Sequence, residues 1–246
     1  MDLKDRHLFI TGAARRVARV MAETFLTVPG ADGLRLSAHF HKSRKEMETL
    51  VSFAKAQGQK LHPVSADLKH VVEIKKAVEA AVKHFGPVDI LINSAGDFYP
   101  TSALTTSEPQ WDNLLDLNLK GPFFLAQLCA KEMISRGGVI LNIADVNGFR
   151  PIKNFAAYSA SKAGLLMITK SLAKEWAPSI QVNAISPGAV LPPENYTEEE
   201  RERSIAKALL KRWGTPQDIA QAAHFLIAND YITGFNLMVD GGRSLT

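Results

Sequence analysis

The sequence HLFITGAARRVA at residues 7–18 decides the fold, because it runs from a short apolar stretch through small residues into an amphipathic segment. This order predicts a strand at 7–11, a tight turn around Gly12 and a helix at 15–27. A strand that enters a helix through such a turn directs backbone N–H groups and the positive helix end toward a phosphate. Only one glycine is present, so a tight turn without a ligand is the alternative.

The same alternation continues to the end of the chain. Short apolar runs predict strands at residues 7–11, 34–40, 60–64, 88–93, 139–143, 181–185 and 236–239. Amphipathic runs predict helices at residues 15–27, 44–57, 71–84, 109–117, 122–135, 156–176 and 216–228. Near-continuous apolar strands between helices indicate a parallel sheet covered on both faces. We therefore predict an α/β fold: a doubly wound, Rossmann-like, seven-stranded parallel sheet in three layers, forming one domain over residues 1–246.

Composition narrows the class of protein. The chain has 246 residues, of which 46% are hydrophobic, and its formal charge of +4 is too mild to favour nucleic acid as a partner. The single cysteine, Cys129, lies in an apolar run and is interpreted as a small buried hydrophobe in a reducing compartment. The sequence shows no signal peptide and no apolar run long enough to span a membrane. We expect a soluble cytoplasmic protein with a small-molecule substrate and no metal.

The end of the second predicted strand indicates which dinucleotide binds. In dinucleotide-binding folds an acidic residue at this place holds the adenosine ribose of NAD. Here residues 39–44 read HFHKSR, with Lys42, Ser43 and Arg44 where the carboxylate would stand. These groups attract an anionic 2′-phosphate, which favours NADP(H). The alternative is a solvated helix start capped by Ser43, and both can hold together.

Small and acidic residues follow the third and fourth strands. Asp67-Leu68 follows the third strand, and Asn93-Ser94-Ala95-Gly96 follows the fourth. Small residues let the backbone approach a flat ring closely. Asp67 either accepts a hydrogen bond from an adenine amino group or caps the helix that begins near His70.

Tyr158 and Lys162 are four residues apart in YSASK and therefore share one face of a helix. A nearby ammonium group stabilises a phenolate, so we expect Lys162 to lower the pKa of Tyr158 and make it an acid–base group. Any helix can carry this pair, but its companions are specific: TGAARR at 11–16, NSAG at 93–96, Asn118 in LNLKGPF, NAISPG at 183–188 and TG…VDGG at 233–242. Together these motifs, which cover nearly the whole chain, resemble the short-chain dehydrogenase/reductase superfamily.

The resemblance implies roles for the matching positions. Tyr158 exchanges a proton with the substrate, Lys162 binds the nicotinamide ribose, Asn118 holds a water of the proton relay, and the protein is a homotetramer or homodimer. The residues expected at the cofactor are Gly12, Arg15, Arg16, His41, Lys42, Ser43, Asp67, Leu68, Asn93, Ser94, Ala95, Tyr158, Lys162, Pro187 and Gly188.

One position departs from the superfamily pattern. A serine usually stands thirteen residues before the tyrosine, and here Asp145 takes that place. A carboxylate repels a developing oxyanion but suits a basic ring nitrogen. This exchange is similar to the pteridine reductases, which the TGAARR turn, the HFHKS segment and the FYP motif at 98–100 also resemble. That resemblance implies Arg16, Phe98, Asp145 and Tyr158 at the substrate, with Phe98 stacking a pterin against the nicotinamide.

Three functions follow from these motifs. The first is NADPH-dependent reduction of a pterin-like substrate such as a dihydropteridine or dihydrofolate, with catalytic residues Tyr158, Lys162, Asp145 and Asn118. The second is an NADP-dependent ketone or 3-oxoacyl reductase, and the third is a non-catalytic NADP-binding regulator. Residues 189–210, which begin with a proline-rich break, are interpreted as a substrate lid or as an ordinary surface excursion. Asp97, next to Phe98, has no assigned role.

Overall fold

A parallel sheet forms the centre of the computed structural model, which describes residues 1–192 and 196–246. Its strands are β1 (His7–Ile10), β2 (Arg35–Phe40), β3 (Lys60–Ser65), β4 (Ile90–Asn93), β5 (Gly138–Ile143), β6 (Ile180–Pro187) and β7 (Asn236–Val239). In the described part of the chain their order is β3-β2-β1-β4-β5-β6-β7, and every neighbouring pair is parallel. This confirms the predicted doubly wound sheet. The strand order reverses between β1 and β4, so a crevice forms at the carboxyl ends of these strands.

Helices cover both faces of the sheet. They are α1 (Arg16–Thr27), α2 (Arg44–Ala56), α3 (Val71–Phe85), α4 (Glu108–Leu115), α5 (Gly121–Arg136), α6 (Ala156–Trp176), α7 (Glu198–Ala206) and α8 (Pro216–Ala228). Buried apolar side chains of α1, α2 and α8 form one core with the sheet, and those of α3, α5 and α6 form a second core on the other face. Cys129 lies in the second core, where burial raises the pKa of its thiol to about 12. The predicted role of Cys129 as a buried hydrophobe is confirmed.

The two helices predicted at 109–117 and 122–135 are one continuous helical segment in the structure. A π-helical turn, Asp116–Lys120, joins α4 to α5, and the Gly121 N–H donates to the carbonyl of Asp116 five residues earlier. Pro122 has no N–H to donate, and the wider turn tolerates it where a regular α-helix would break. The inserted turn also places Asn118 inside the protein, where it is only 1% exposed.

The segment predicted as a lid contains α7. Thr197 and Glu200 form a reciprocal capping box that begins this helix. Residues 193–195 of the predicted lid lie outside the described residues. Among the residues that the structure does describe, no helix is long and apolar enough to cross a membrane, and no cluster of metal-ligating side chains occurs.

Candidate active site

The turn after β1 is pressed against the loop after β4. Gly12 has a φ of +72°, and a Cβ at this position would lie 3.1 Å from the Cα of Ala95. The hydroxyl of Thr11 accepts hydrogen bonds from the backbone N–H groups of Ser94 (2.9 Å) and Ala95 (3.0 Å). Gly12 is therefore required both by its positive φ and by the close approach of the neighbouring loop.

His39, near the end of β2, ties the same turn to β3. Its Nδ1 accepts a hydrogen bond from the Gly12 N–H at 3.2 Å, and its Nε2 lies 3.0 Å from the carbonyl oxygen of Ala66. A backbone N–H can only donate and a carbonyl oxygen can only accept, so these two contacts require the neutral tautomer of His39 with its proton on Nε2. Burial lowers the pKa of His39 to about 4, which agrees with a neutral ring. The sequence shows His39 only as one letter of a motif and does not reveal this positioning role.

Arg16 occupies a backbone conformation that glycine prefers. Its φ is +55°, in the left-handed region, at the start of α1. A side chain in this region costs roughly 1–2 kcal/mol. Arg15 and Arg16 are exposed at the cavity wall, and the helix that follows gains no side-chain cap from Arg15. The backbone of this turn is therefore strained at Arg16, and the turn places the guanidinium groups of Arg15 and Arg16 at the cavity.

The end of β2 lines the cavity with polar groups. His41 and Lys42 are exposed there, and Ser43 is half-buried at the start of α2. Ser43 is the N-cap residue of α2, but its side chain makes no capping hydrogen bond. The expected alternative use of Ser43 as a side-chain cap is therefore wrong, and its hydroxyl faces no competing helix N–H.

Asp67 lies across the crevice and belongs to a cluster of basic groups. Its Oδ1 accepts a hydrogen bond from the Lys69 N–H at 3.0 Å, while Lys69 Nζ and His41 Nε2 lie 3.7 and 4.0 Å from its Oδ2. Burial acts to raise the pKa of Asp67, but these contacts outweigh it and lower the pKa. The N-cap residue of α3 is His70, so the expectation that Asp67 caps this helix is wrong.

Tyr158 and Asp145 form the central pair of the site. Tyr158 is buried on α6, and its hydroxyl donates to Asp145 Oδ2 at 2.6 Å. The other carboxylate oxygen of Asp145 accepts the N–H of Asn147 at 2.8 Å, so Asp145 also caps a short 3₁₀ turn. Burial raises the pKa of Asp145, although Tyr158, Asn147, Lys162 and Arg243 act in the opposite direction.

The expected depression of the Tyr158 pKa by Lys162 is wrong in this arrangement. Burial, together with the neighbouring charge and hydrogen bond of Asp145, raises the pKa of Tyr158 well above its usual value. Lys162 Nζ donates to the carbonyl of Ile143 at 2.9 Å and lies 6.0 Å from the centroid of the Tyr158 ring. Burial lowers the pKa of Lys162 to about 8, while Asp145 acts to raise it.

Asn118 and Asp97 support the loop that carries Phe98. The Asn118 amide accepts the Asp97 N–H at 2.9 Å and donates to the Asp97 carbonyl at 3.0 Å. The Asp97 carboxylate accepts a hydrogen bond from Asn113 at 3.1 Å. Asp97 therefore anchors this loop to α4, a role that the sequence did not reveal because Asn113 is distant along the chain.

Aromatic rings form one wall beside the Tyr158 hydroxyl. Phe98 is 54% exposed and stacks on Phe155 with ring centroids 4.5 Å apart and an interplanar angle of 17°. The Phe98 ring also meets Tyr158 edge to face at 4.8 Å. Phe155 was missed from the sequence because it belongs to no motif.

One cavity of about 910 Å³ gathers the predicted residues. It is lined by every predicted site residue except Asn93 and Asn118, which are buried. The Asn93 amide donates to Asn142 at 2.9 Å, so its side chain links β4 to β5, and the placement of Asn93 at the cofactor stays a prediction. The cavity is also lined by Leu191, Tyr196 and Ser204 of the segment predicted as a lid, and by Ile152, Trp213 and Arg243, which the sequence did not reveal.

The cavity fits a dinucleotide. Its volume is at the upper end of the ~300–1,000 Å³ range of ligand sites. The Gly12 turn and the start of α1 open into one end of it, and Lys162, Pro187 and Gly188 line the other. A Cβ at Gly188 would lie 2.8 Å from the Cα of Asp240, so the backbone after β6 packs closely without blocking the cavity. When bound, a nicotinamide dinucleotide supplies or accepts a hydride.

Known proteins share this sequence and fold. A family model described as enoyl-(acyl carrier protein) reductase matches residues 12–244. The 2-dehydro-3-deoxy-D-gluconate 5-dehydrogenase of Dickeya dadantii is 37% identical over 98% of this chain and 96% of its own length. The 3-oxoacyl-[acyl-carrier-protein] reductase of Thermotoga maritima is 32% identical over 98% of this chain and 99% of its own.

A solved structure agrees with these relatives. A blue fluorescent protein from a metagenomic library, crystallised in complex with NADPH, superposes with a TM-score of 0.90 at 29% identity and covers 99% of each chain. Fold, motif order and sequence identity therefore indicate the same superfamily. The chain belongs to the short-chain dehydrogenase/reductase superfamily and matches its enoyl-(acyl carrier protein) reductase family model.

Proposed function

We propose that the protein is an NADPH-dependent reductase of a pterin-like ring, such as a dihydropteridine or dihydrofolate, that contains a C=N bond. The observation that carries this proposal is the 2.6 Å hydrogen bond from the Tyr158 hydroxyl to Asp145. The tyrosine proton is directed at a carboxylate. Members of the superfamily that reduce carbonyl groups usually have a serine at the position of Asp145.

Reduction of a ketone needs donors that face the developing alkoxide. An ionised Asp145 repels that charge, and its contact with the hydroxyl keeps the pKa of Tyr158 high. Reduction of a C=N bond has the opposite requirement, because the ring nitrogen gains a proton as the carbon gains a hydride. The Tyr158 hydroxyl supplies that proton, and Asp145, which accepts its hydrogen bond, stabilises the positive charge that develops on the ring nitrogen.

The aromatic wall supports a flat substrate. Phe98 and Phe155 stack on each other, and Phe98 leaves more than half of its surface exposed at the cavity beside Tyr158. Planar heterocycles gain from packing against such a ring in addition to the apolar area that they bury.

The groups after β2 support NADPH as the reductant. Lys42, Ser43 and His41 line the cavity where an NAD-specific site carries a carboxylate. The Ser43 hydroxyl is not used by its helix, and Lys42 forms no ion pair with a described residue. These donors suit a 2′-phosphate. Crystallisation of the metagenomic structural neighbour with NADPH favours the same cofactor.

A second candidate is an oxidoreductase of a ketone or hydroxyl group, including a 3-oxoacyl thioester or a sugar acid. The names of the relatives from Dickeya dadantii and Thermotoga maritima favour it over the pterin hypothesis. Asp145 argues against it, because the carboxylate replaces the hydroxyl that would otherwise donate to the carbonyl oxygen.

The test is an assay of cofactor turnover with matched substrates. Purified protein is assayed for NADPH oxidation with dihydrobiopterin, dihydrofolate and acetoacetyl thioesters, and in parallel for NADP⁺ reduction with 2-dehydro-3-deoxy-D-gluconate. We expect turnover with the dihydropterins. Turnover with carbonyl compounds alone would establish the second candidate, and tight NADPH binding without any turnover would favour a regulator.

A further inference from the structure

The chain returns to the active site at its C-terminus. After β7, Asp240 accepts hydrogen bonds from the backbone N–H groups of Gly242 (2.9 Å) and Ser244 (2.7 Å). Gly242 has a φ of +78°, and a 3₁₀ turn, Arg243–Leu245, follows it. These contacts fix the backbone of Arg243, whose half-buried side chain lines the same cavity as Asp145 and Tyr158.

The same segment holds the helix of the lid. Arg243 Nη1 donates to the Ser204 carbonyl at 2.9 Å, and the Thr246 hydroxyl donates to the Lys207 carbonyl at 2.8 Å. The Leu210 N–H donates to the Gly241 carbonyl at 3.1 Å. Arg243 therefore lies between the lid helix and the catalytic pair, at the end of the cavity remote from the Gly12 turn.

The guanidinium of Arg243 makes no direct ion pair with a carboxylate of the described residues. No ion pair within 4.0 Å joins it to any acidic side chain in residues 1–192 or 196–246. Its Nη1 bonds are to neutral oxygen atoms of Ser204, whereas a guanidinium carries five N–H donors in a planar fork. The positive charge of Arg243 also acts on Asp145. Burial raises the pKa of the Asp145 carboxyl, and Arg243 is one of the groups that act to lower it.

We infer that Arg243 binds a carboxylate group of the substrate at the lid end of the cavity. A partly desolvated guanidinium whose hydrogen-bond acceptors are neutral is stabilised when an anion accepts hydrogen bonds from its remaining N–H groups. The basic residues after β1 and β2 stand at the other end of the cavity and suit the phosphates of the cofactor. The inference rests on the proposed function only in placing the substrate beside Tyr158.

Two sources of the carboxylate are possible: the glutamate tail of a folate-type pterin, or a keto sugar acid. Both present the same anion to the same guanidinium. The experiment separates them by pairing each acid with a neutral analogue. Dihydrofolate is compared with dihydrobiopterin, and 2-dehydro-3-deoxy-D-gluconate is compared with its methyl ester.

The affinity of each compound for the complex of the protein with NADP⁺ is measured by calorimetry, in the wild type and in Arg243→Gln. We expect the substitution to weaken binding of the carboxylate-bearing compound about 10- to 100-fold, because a charge-assisted hydrogen bond is lost. We expect the neutral partner to change less than about threefold. Arg243→Lys should recover part of the affinity, since it keeps the charge and loses the fork.

Thr246→Val is the matched control, because it removes a contact between the C-terminus and the lid while keeping the guanidinium. We expect it to leave the preference for the acid unchanged. Equal losses for acid and neutral compound in Arg243→Gln would overturn the inference in favour of a structural role, as would failure of the wild-type complex to bind any of the acids. Selective loss for the sugar acid alone would uphold Arg243 and contradict the pterin proposal.

Discussion

The two ends of the cavity are built in different ways. The cofactor end consists of backbone turns at the carboxyl ends of β1, β2 and β4, joined by hydrogen bonds from backbone N–H groups to buried side chains, such as that from Gly12 to the His39 ring. The substrate end consists of side chains from the loops after β4, β5 and β6 and from the C-terminus, with Asp145, Phe98 and Arg243 as its polar and aromatic groups.

This difference separates binding from selectivity. The cofactor end is set by strand order and turn geometry, which the whole superfamily shares, so it gives a nucleotide site whatever the substrate is. The substrate end depends on individual side chains, among them Asp145, Phe98 and Arg243, rather than on the geometry of backbone turns. Substitutions at the first end should act equally on all substrates, whereas substitutions at the second should change which substrate is used.

The largest effect is expected at the junction of the two ends, at Tyr158. Tyr158→Phe removes the hydroxyl that bonds Asp145 and keeps the ring that meets Phe98. We expect kcat to fall about 10²- to 10⁴-fold, the range for loss of a general acid–base group, with little change in NADPH affinity. Stopped-flow measurement of a single turnover tests this. A kcat within tenfold of the wild type would show that Asp145 alone delivers the proton.

The seven strands of a parallel sheet and the positions of Gly12, Tyr158 and Lys162 could be predicted from the sequence because each depends on local periodicity or on a motif. The pKa of Tyr158 could not, because it depends on burial and on the direction of the hydroxyl toward Asp145. The continuous α4–α5 segment was missed because Pro122 normally marks a helix start, and the π-helical turn that tolerates it has no sequence pattern.

The substrate wall shows the same limit. Arg243 lines the cavity directly after the VDGG motif, and Phe155 stacks on Phe98 just before the YSASK motif, yet neither residue is part of its motif. Asn93 lies within a motif, yet its amide is used by Asn142 in the core. Motif membership predicts where the backbone passes, but the direction of a side chain depends on its neighbours in the fold.

The second effect is a pH dependence that originates at Lys162. Its ammonium has a pKa of about 8 rather than 10.5, so we expect kcat/KM to fall about tenfold per pH unit above about 8. The effect on stability has the opposite sign. Between about pH 8 and pH 10.5 Lys162 is protonated in the unfolded chain and mostly neutral in the folded protein. The contribution of Lys162 to the free energy of unfolding therefore rises with pH over this range.

The pH profile of kcat/KM, with circular dichroism at each pH, separates these two changes. Lys162→Arg is the control, because it keeps the charge at every pH and should remove the alkaline limb. A flat profile in the wild type up to pH 10 would contradict the role of the ammonium.

A smaller effect is expected for Lys42 at the cofactor end. Lys42→Ala should raise the KM for NADPH about 10-fold, the value of one charge-assisted hydrogen bond, and leave the KM for NADH unchanged. The change should be the same for every second substrate. Steady-state kinetics with both cofactors measures this, with Lys45→Ala, which is exposed on α2, as the matched control. An equal rise in KM for NADH would exclude contact with a 2′-phosphate.

The smallest effect is expected for Arg16→Gly. Glycine relieves the positive φ of +55° but loses entropy on folding, so we expect the free energy of unfolding to change by less than about 1 kcal/mol. Urea unfolding measures this change. NADPH affinity should fall because a guanidinium leaves the cavity wall. Unchanged affinity would place Arg16 outside the cofactor site.

The most direct test of the central claim, that Asp145 sets the substrate class, is the ratio of kcat/KM for dihydrobiopterin to kcat/KM for a ketone in the wild type and in Asp145→Ser. We expect the wild type to favour the pterin. We expect the serine variant to shift this ratio toward the ketone by about 100-fold or more, because a neutral hydroxyl replaces a carboxylate beside the developing charge. A ratio that stays the same in the two proteins would show that Asp145 does not determine the substrate class.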